Sequence, residues 1–303
     1  MRILVTGAGG YIGSALVRSL GEADVLATDQ AGMPLPNALV GNIAYPQFAR
    51  SLITAEIDVV FHLAALVSGG AEQNFELGMK VNLDATRDLL EACRLAGHCP
   101  KFLFASSIAV YGGALPDPVT DDTPPAPRIS YGAQKLICEV LIDDYSRRGY
   151  VDGRALRLPT VMVRSGSANT AVSGWASAII REPLAGRDYV CPVRPDTRMA
   201  CISVARVVQC FQRMAELPAN TLGERRTVLL TGITVSAQQM WDAVRPRARG
   251  SVRFEPDARL QAIMDSVPKA THSTRAAALG LPHSASIDEI VREYEETALA
   301  HHG

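Results

Sequence analysis

Residues 3–13 read Ile-Leu-Val-Thr-Gly-Ala-Gly-Gly-Tyr-Ile-Gly, and this stretch decides the fold of the chain. Residues 3–6 are a short run rich in β-branched side chains, which predicts a buried strand. A helical pattern follows over residues 11–20. Glycines recur at every third position of the turn between them: Gly7, Gly10 and Gly13. The pattern predicts a strand–turn–helix unit that opens an α/β fold.

Strand-like and helical segments alternate along the rest of the chain, which predicts a parallel sheet covered by helices on both faces. The strand-like runs are residues 24–28, 59–64, 101–105, 154–163 and 227–230. The helical runs are residues 80–96, 130–148 and 204–217. Because crossovers between parallel strands are right-handed, the favoured topology is a doubly wound α/β sheet of the Rossmann type.

Two stretches have no regular pattern, and we assign them to a second, smaller unit. The predicted core spans residues 1–165 and returns at about residues 203–232. Residues 166–202 and 233–303 are predicted to form a discontinuous C-terminal substrate lobe. A chain of 303 residues is long enough for one large domain with such an addition.

The bulk composition excludes several function classes. A hydrophobic content of 48% is ordinary for a globular protein, and no apolar run approaches the length of a membrane span. A net charge of -1 gives no reason to expect nucleic acid or an anionic membrane as a partner. The six cysteines form no CxxC pair and do not cluster with the histidines at ligand spacing, so we expect no metal. Reduced cysteines and a cytoplasmic location are expected.

The three glycines fit a turn that binds a dinucleotide. Gly7 permits the tight turn out of the strand, and Gly10 lets the backbone approach a pyrophosphate. Gly13 lets the helix pack closely on the sheet, and the helix N-terminus then faces the phosphates. The GxxGxxG spacing differs from the more usual GxGxxG, and a purely structural turn is the alternative.

Asp29 closes the second strand and indicates the choice of cofactor. A carboxylate at this position accepts hydrogen bonds from the adenosine ribose hydroxyls and repels a 2′-phosphate. No arginine or lysine occupies positions 8–12 or 30–33, where it would attract that phosphate. The sequence therefore predicts NAD rather than NADP, with a solvated loop acid as the alternative interpretation.

Tyr131 and Lys135 stand four residues apart on a predicted helix, so their side chains share one face. A free tyrosine has a pKa of about 10 and is a poor base at neutral pH, but a nearby cation favours the phenolate. Ser107 follows a strand, at the edge of the sheet where ligands bind in open α/β folds. The three residues predict a proton-abstracting site, whereas a surface Tyr–Lys pair and a strand-end serine are the alternatives.

This order of motifs resembles the extended short-chain dehydrogenase/reductase family, which includes NAD-dependent epimerases and dehydratases, over nearly the whole chain. Further matches are His62-Leu63-Ala64-Ala65, Val81-Asn82 and the run Ser-Ser-Ile-Ala-Val-Tyr-Gly at residues 106–112. The resemblance implies that Tyr131 is the base, that Lys135 also holds the nicotinamide ribose, and that Ser107 is catalytic rather than Ser106.

The turn chemistry and the resemblance together predict a set of residues that bind NAD. They are Gly7, Gly10, Tyr11, Ile12, Gly13, Asp29, Asn42, Ile43, Leu63, Ala64, Ala65, Asn82, Tyr131, Lys135, Leu158 and Thr160. In the family, the position of Asn82 helps to order a proton relay. Asn42 stands where the family usually has aspartate near the adenine, and its amide oxygen can still accept a hydrogen bond.

Four further segments resemble the D-erythronate dehydrogenase branch, whose members oxidise the 2-hydroxyl of a four-carbon sugar acid with NAD. They are residues 64–72, 144–149, 156–160 and 179–186. Residues 165–169 depart from the Pro-Gly-Lys-Pro-Asn typical of that branch, which leaves the exact sugar acid open. A uronate or another aldonate is an alternative substrate.

A substrate carboxylate needs a cationic donor, and arginine offers a bidentate fork. Arg164, Arg181 and Arg198 all lie in the part of the chain that would supply it. Arg198 is preferred, because related sugar-nucleotide enzymes place a phosphate-binding arginine at this point. The predicted substrate residues are Ser68, Ser107, Tyr131, Asn169, Ser173 and Arg198.

Two rival functions remain on the sequence alone. A nucleotide-sugar epimerase or dehydratase of the same fold would keep its NAD bound without net consumption. A redox-sensing NAD-binding regulator would need the glycine turn but not Tyr131 and Lys135. The resemblance also implies a homodimer formed through the helices at residues 80–96 and 130–148.

Overall fold

The computed structural model describes residues 1–21, 23–33, 35, 38–164 and 172–300, with side chains up to residue 297. The strands are β1 Arg2–Thr6, β2 Asp24–Asp29, β3 Leu39–Val40, β4 Ile57–His62, β5 Lys101–Ser107, β6 Asp152–Leu158, β7 Thr160–Met162, β8 Tyr189–Cys191, β9 Arg198–Ser203, β10 Thr227–Leu229, β11 Ile233–Ser236 and β12 Val252–Phe254. The helices are α1 Tyr11–Leu20, α2 Pro46–Ser51, α3 Ser68–Gln73, α4 Phe75–Gly78, α5 Ala85–Ala96, α6 Ser130–Arg147, α7 Gly174–Leu184, α8 Val204–Glu216, α9 Ala237–Val244, α10 Ala258–Ser266, α11 Thr274–Ala278 and α12 Ile287–Ala300. No described helix is long and apolar enough to cross a membrane.

Seven parallel strands form the central sheet in the order β10-β6-β5-β4-β1-β2-β3. The strand order reverses between β1 and β4, and in open α/β sheets ligands bind at the carboxyl ends of the strands beside such a reversal. The predicted doubly wound α/β fold is thereby confirmed.

Alternate side chains of each central strand bury into opposite faces of the sheet, as the period of two requires. Ile3 and Val5 of β1 join the apolar cluster under α8, whereas Leu4 joins the cluster under α5 and α6. Both faces are therefore covered, which explains why the strands read as continuous apolar runs.

A second, smaller unit has its own sheets and its own apolar core. Strand β9 pairs antiparallel with β11 and parallel with β7, and β8 pairs with β12. Trp175 and Ile179 of α7 pack in this core with Met199 of β9 and Met240 of α9. This unit stands over the carboxyl ends of the central strands and supplies the second side of the cleft.

Two predicted elements are corrected by the structure. The run at residues 154–163 forms two strands. The first, β6, ends before Pro159, and the second, β7, leaves the central sheet to pair with β9. Proline has no N–H to donate, so it ends the ladder of β6. The predicted helix at residues 80–96 begins as a π-helix, Met79–Asp84, which continues into α5.

Candidate active site

A cleft of about 360 Å³ opens at the carboxyl ends of β1, β4, β5 and β6. We call the side formed by the central sheet and α6 the core wall: Gly7, Gly10, Tyr11, Ile12, Gly13, Leu63, Ala65, Val67, Ser68, Ala105, Ser106, Ser107, Ile108, Ala109, Ile129, Tyr131, Lys135 and Leu158. The opposite side, the lobe wall, follows β6 and continues through the smaller unit: Pro159, Thr160, Val161, Arg164, Val172, Ser173, Met199, Ile263, Met264, Val267 and Pro268.

The glycine turn leaves no room for side chains where the chain folds back. Gly7 has a φ of +70°, and a Cβ there would lie 2.6 Å from the backbone nitrogen of Ala64. A Cβ on Gly13 would lie 2.1 Å from the carbonyl oxygen of Gly7. Helix α1 starts at Gly10 without a side-chain cap. Its first N–H groups are therefore available to an anion, which fits the pyrophosphate of a dinucleotide.

Asp29 lies at the carboxyl end of β2, beside the glycine turn. Its Oδ2 accepts a hydrogen bond from the backbone nitrogen of Gly9 at 3.0 Å, which ties the acid to the turn. Asn42 and Ile43 lie just beyond β3, the neighbour of β2, and do not line the cleft. The Asn42 side chain accepts a hydrogen bond from the Ala44 nitrogen at 2.9 Å.

The predicted trio Ser107, Tyr131 and Lys135 comes together on the core wall. Ser107 and Tyr131 both line the cleft, and the Ser107 side chain lowers the pKa of the Tyr131 phenol. The Lys135 ammonium lies 5.6 Å from the centre of the Tyr131 ring and 4.4 Å from that of Phe104. Ser107 ends β5, and Tyr131 and Lys135 lie in the first turns of α6. The end of the strand and one face of the helix therefore meet, as the spacing predicts.

Burial dominates the ionisation of this trio. Burial raises the pKa of Tyr131 to about 12, although the Arg164 guanidinium and the Ser107 side chain act to lower it. Burial also lowers the pKa of Lys135 to about 8, while Cys138 and Glu139 act in the opposite direction. In the protein alone the phenol is therefore protonated at neutral pH. The cation that lowers the pKa of Tyr131 here is Arg164, whereas the sequence argument assigned that role to Lys135.

A buried ion pair holds the strand end that carries Ser107. Arg157 of β6 binds Glu139 of α6 with an Nη2–Oε2 distance of 2.7 Å and also donates to the Tyr111 hydroxyl. Ser106 donates to the same Glu139 carboxylate. Both serines line the cleft, and because the Ser106 hydroxyl is bound to Glu139, Ser107 remains the serine candidate beside Tyr131. Sequence reasoning missed the pair, although an acid on the face of α6 that also carries Lys135 was a detectable signal.

Asn82 lies behind the core wall and links two of its segments. Its Oδ1 accepts from the Leu66 nitrogen at 2.8 Å, and its Nδ2 donates to the Leu66 oxygen at 3.0 Å. Nδ2 also donates to Gln134 Oε1 at 2.7 Å, one residue before Lys135. Asn82 thereby fixes the loop after β4 against α6, and its predicted proton relay stays a prediction.

His62 pins the ends of two neighbouring strands. Its ring nitrogens lie 2.7 Å from the Thr6 hydroxyl and 2.9 Å from the Thr86 hydroxyl. Complete burial lowers the pKa of His62 to about 3, and the charge of Lys135 acts in the same direction. The imidazole is neutral, and it positions the loop at residues 63–65 rather than exchanging protons with the cleft.

The three arginines weighed from the sequence occupy different places. Arg164 lines the cleft, and Arg181 is paired with Glu182 at 2.7 Å. Arg198, the preferred candidate, is about half exposed, paired with Asp117 at 2.6 Å and outside the residues that line the cleft. Ser68 and Ser173 line the cleft, whereas Asn169 lies outside the described residues.

Of the predicted NAD residues, most line the cleft: Gly7, Gly10, Tyr11, Ile12, Gly13, Leu63, Ala65, Tyr131, Lys135, Leu158 and Thr160. Ala64 borders it through the close approach to Gly7. The remaining members of the prediction stand behind or beside the lining: Asp29, Asn42, Ile43 and Asn82.

Comparison with known proteins establishes the family. The NAD dependent epimerase/dehydratase family matches residues 3–227. The chain belongs to this epimerase/dehydratase family. It is 45% identical to the D-erythronate dehydrogenase of Cupriavidus necator, over 98% of this chain and 99% of that protein. It is 37% identical to the D-erythronate dehydrogenase of Haemophilus influenzae, with the same coverage of both chains.

Among solved structures, a nucleoside-diphosphate-sugar epimerase from Agrobacterium tumefaciens is similar to this epimerase/dehydratase-family chain. The two are 35% identical with a TM-score of 0.91, over 99% of this chain and 95% of the other. The predicted family and the predicted likeness to D-erythronate dehydrogenases are confirmed.

Proposed function

We propose that this protein oxidises the 2-hydroxyl of a small sugar acid of the D-erythronate type to the 2-keto acid, with NAD as the hydride acceptor. The observation that carries the proposal is that Ser107, Tyr131 and the buried Lys135 line one cleft together with the glycine turn, with the Lys135 ammonium 5.6 Å from the centre of the Tyr131 ring. The two dehydrogenase relatives favour a sugar acid as the substrate.

The chain's own residues fit a bound dinucleotide. The uncapped start of α1 would hold the pyrophosphate, and Asp29 would accept hydrogen bonds from the adenosine ribose. Lys135 would hold the nicotinamide ribose. When bound, NAD supplies the electrophilic ring that accepts hydride. The carboxylate of Asp29 favours NAD over NADP, because it would repel a 2′-phosphate.

Ser107 and Tyr131 would handle the hydroxyl proton. Ser107 donates a hydrogen bond to the substrate oxygen, and the Tyr131 phenolate takes the proton as the C–H hydride leaves, which yields the ketone. Because burial raises the pKa of Tyr131 to about 12, the phenolate needs positive charge close by. Arg164 and the Lys135 ammonium supply part of that charge from the protein.

The test is NADH formation measured by absorbance, with purified protein, NAD and one candidate substrate at a time. The panel is D-erythronate, other C4 to C6 aldonates, uronates and UDP-sugars. We expect NADH to accumulate with a four-carbon aldonate, and less or none to form with NADP. Turnover of a UDP-sugar without net NADH would instead support an epimerase, which the 35% identical epimerase structure makes the second candidate. NADH accumulation with uronates alone would instead identify uronates as the substrate class.

The proposed homodimer has support from exposed apolar side chains on the two helices in question. Leu95 ends α5 with 68% of its surface exposed, and Val140 and Ile137 of α6 are 62% and 44% exposed. Burying such side chains against a second copy would be favourable. Light scattering should give twice the chain mass of 32.4 kDa, and Val140→Lys should lower it.

A further inference from the structure

The described lining of the cleft is cationic. Its charged side chains are Lys135 on the core wall and Arg164 on the lobe wall, and no carboxylate lines it. The lobe wall around Arg164 is otherwise apolar or neutral, with Val172, Met199 and Met264 as neighbours in the lining. A cavity with two cations and no acid favours an anionic guest, since a buried charge needs a partner.

Arg164 has no carboxylate partner among the described residues, unlike Arg157, Arg181 and Arg198. Arg157, Arg181 and Arg198 each form an ion pair with a carboxylate at 2.7 Å or closer. No carboxylate of a described residue pairs with Arg164, which is partly buried. Burial lowers the pKa of Arg164, because desolvation penalises the charged guanidinium. A bound carboxylate would supply the missing partner through two parallel hydrogen bonds.

The backbone around Arg164 is held on three sides. Its nitrogen donates to the Ser177 hydroxyl at 3.1 Å, and its oxygen accepts from Arg181 Nη1 at 2.8 Å. The preceding carbonyl, that of Val163, accepts from the Tyr11 hydroxyl at 2.9 Å. These contacts join α7 and α1 to the segment that carries the guanidinium. A side chain presented from a fixed backbone is suited to orienting a ligand.

Arg164 also lies close enough to the reacting phenol to act on it electrostatically. Its charge lowers the pKa of Tyr131, and Tyr131 and Tyr11 in turn favour the charged form of Arg164. In a 2-hydroxy acid the carboxylate and the oxidised carbon are adjacent, so one small molecule can reach both groups. We propose that Arg164 binds the substrate carboxylate and thereby presents the neighbouring 2-hydroxyl to Tyr131 and Ser107. This inference rests on the proposed sugar-acid function. It assigns the carboxylate anchor to Arg164 instead of Arg198.

The decisive variant is Arg164→Gln, tested with D-erythronate and with its uncharged amide. We expect kcat/KM for the acid to fall about 100-fold, the scale of losing hydrogen bonds to a charged group. The value for the amide should fall far less, because the amide loses only the effect of the Arg164 charge on Tyr131 and has no carboxylate for the anchor to bind. Arg164→Lys keeps the charge but loses the two parallel N–H donors of the guanidinium, so its kcat/KM for D-erythronate should lie between the values of wild type and Arg164→Gln. It also keeps the test open if the glutamine variant does not fold.

Two other arginines serve as rival and control. Arg198→Gln tests the anchor expected from the sequence. Arg253→Gln is the control, because the Arg253 side chain is 71% exposed and pairs with Glu255. We expect the acid-to-amide ratio of both variants to match that of wild type. An acid-specific loss in Arg198→Gln, with Arg164→Gln unchanged, would overturn the proposal.

A binding measurement separates this inference from the proposed reaction. D-erythronate is titrated into the enzyme–NADH complex, which cannot oxidise it, and NADH fluorescence reports binding. Suppose that the wild-type protein oxidises no sugar acid but that D-erythronate binds about 100-fold more weakly to Arg164→Gln than to wild type. This result would support Arg164 as the carboxylate anchor and reject the proposed oxidation. Oxidation of D-erythronate with an unchanged acid-to-amide ratio in Arg164→Gln would reject the anchor and keep the reaction. NADH affinity should stay equal in both proteins.

Discussion

The core wall and the lobe wall of the cleft are built in different ways. The core wall consists mainly of the ends of central strands with residues of α1 and α6, and its Ser106 donates to the carboxylate of Glu139, which is paired with Arg157. Behind this wall, Asn82 ties the loop after β4 to α6. The lobe wall collects residues from distant segments, with Val172, Met199 and Met264 on three different elements or their flanks. We infer that the core wall carries the chemistry and that the lobe wall selects the substrate.

This division has a kinetic consequence. Groups that act only on the reacting atoms change kcat, whereas groups that bind substrate and transition state equally change KM. Substitutions on the core wall should therefore lower turnover or cofactor selectivity, and neutral substitutions on the lobe wall should mainly raise KM. A core-wall variant that altered only KM would contradict this division of roles between the two walls.

The largest effect is expected from Tyr131→Phe, which removes the proton acceptor from the core wall. General acid–base groups contribute about 10² to 10⁴-fold, so kcat should fall by that factor. NADH affinity, measured by fluorescence, should stay within about 3-fold because the ring remains. Tyr150→Phe is the matched control, since Tyr150 packs against Tyr145 outside the cleft. A kcat within a few-fold of wild type would refute the role of the phenol.

Asp29→Ser should change the choice of cofactor without changing the chemistry. Removing the carboxylate removes the repulsion of a 2′-phosphate, so the ratio of kcat/KM for NAD over NADP should fall about 10- to 100-fold. Asp24→Ser is the control, because Asp24 stands at the opposite end of the same strand. An unchanged ratio would mean that other groups select the cofactor.

Gly13→Ala should destabilise the fold at the glycine turn. The new Cβ would lie 2.1 Å from the Gly7 carbonyl oxygen, and such overpacking costs about 1–3 kcal/mol of unfolding free energy. Urea denaturation measures this loss. Gly32→Ala is the control, because a Cβ there meets no atom within 4 Å. Equal stability of the two variants would show that the turn relaxes around a methyl group.

Ser173→Ala should have the smallest effect, and it sharpens the description of the lobe wall. One neutral hydrogen bond contributes about 0.5–1.5 kcal/mol, so KM for the sugar acid should rise about 2- to 10-fold with kcat unchanged. Ser51→Ala, whose hydroxyl bonds to the Phe48 oxygen on α2, should leave both constants unchanged. A drop in kcat with constant KM would instead give Ser173 a part in the chemistry.

Much of the core wall could be predicted from the sequence, because its residues are placed by short-range periodicity. A serine at the end of a central strand must lie at the ligand-binding edge, and a tyrosine and lysine four residues apart must share a helix face. Ser107, Tyr131 and Lys135 therefore meet in the structure as expected. The limit at Gly13 is also local, since a Cβ there would meet the backbone of Gly7, whereas the limit at Gly7 includes the backbone of Ala64 on a distant strand end.

The lobe wall could not be predicted in the same way. Residues 154–163 are predicted as one strand interrupted by Pro159, yet pairing with β9 takes β7 out of the central sheet. The sequence favoured Arg198 over Arg164 as the carboxylate anchor. Asp117, 81 residues away, pairs with Arg198, whereas the backbone of Arg164 is held by contacts with α7.

Local sequence patterns were enough to predict the doubly wound sheet, the glycine turn at residues 7–13 and the meeting of Ser107, Tyr131 and Lys135 in one cleft. Each depends on a repeat of two or 3.6 residues, or on glycine's freedom at a turn, and these act within a few residues. Which arginine lines the cleft with Tyr131, and which cation lowers the pKa of that phenol, was settled by the tertiary structure. Those outcomes depend on burial and on partners far along the chain, which no local pattern encodes.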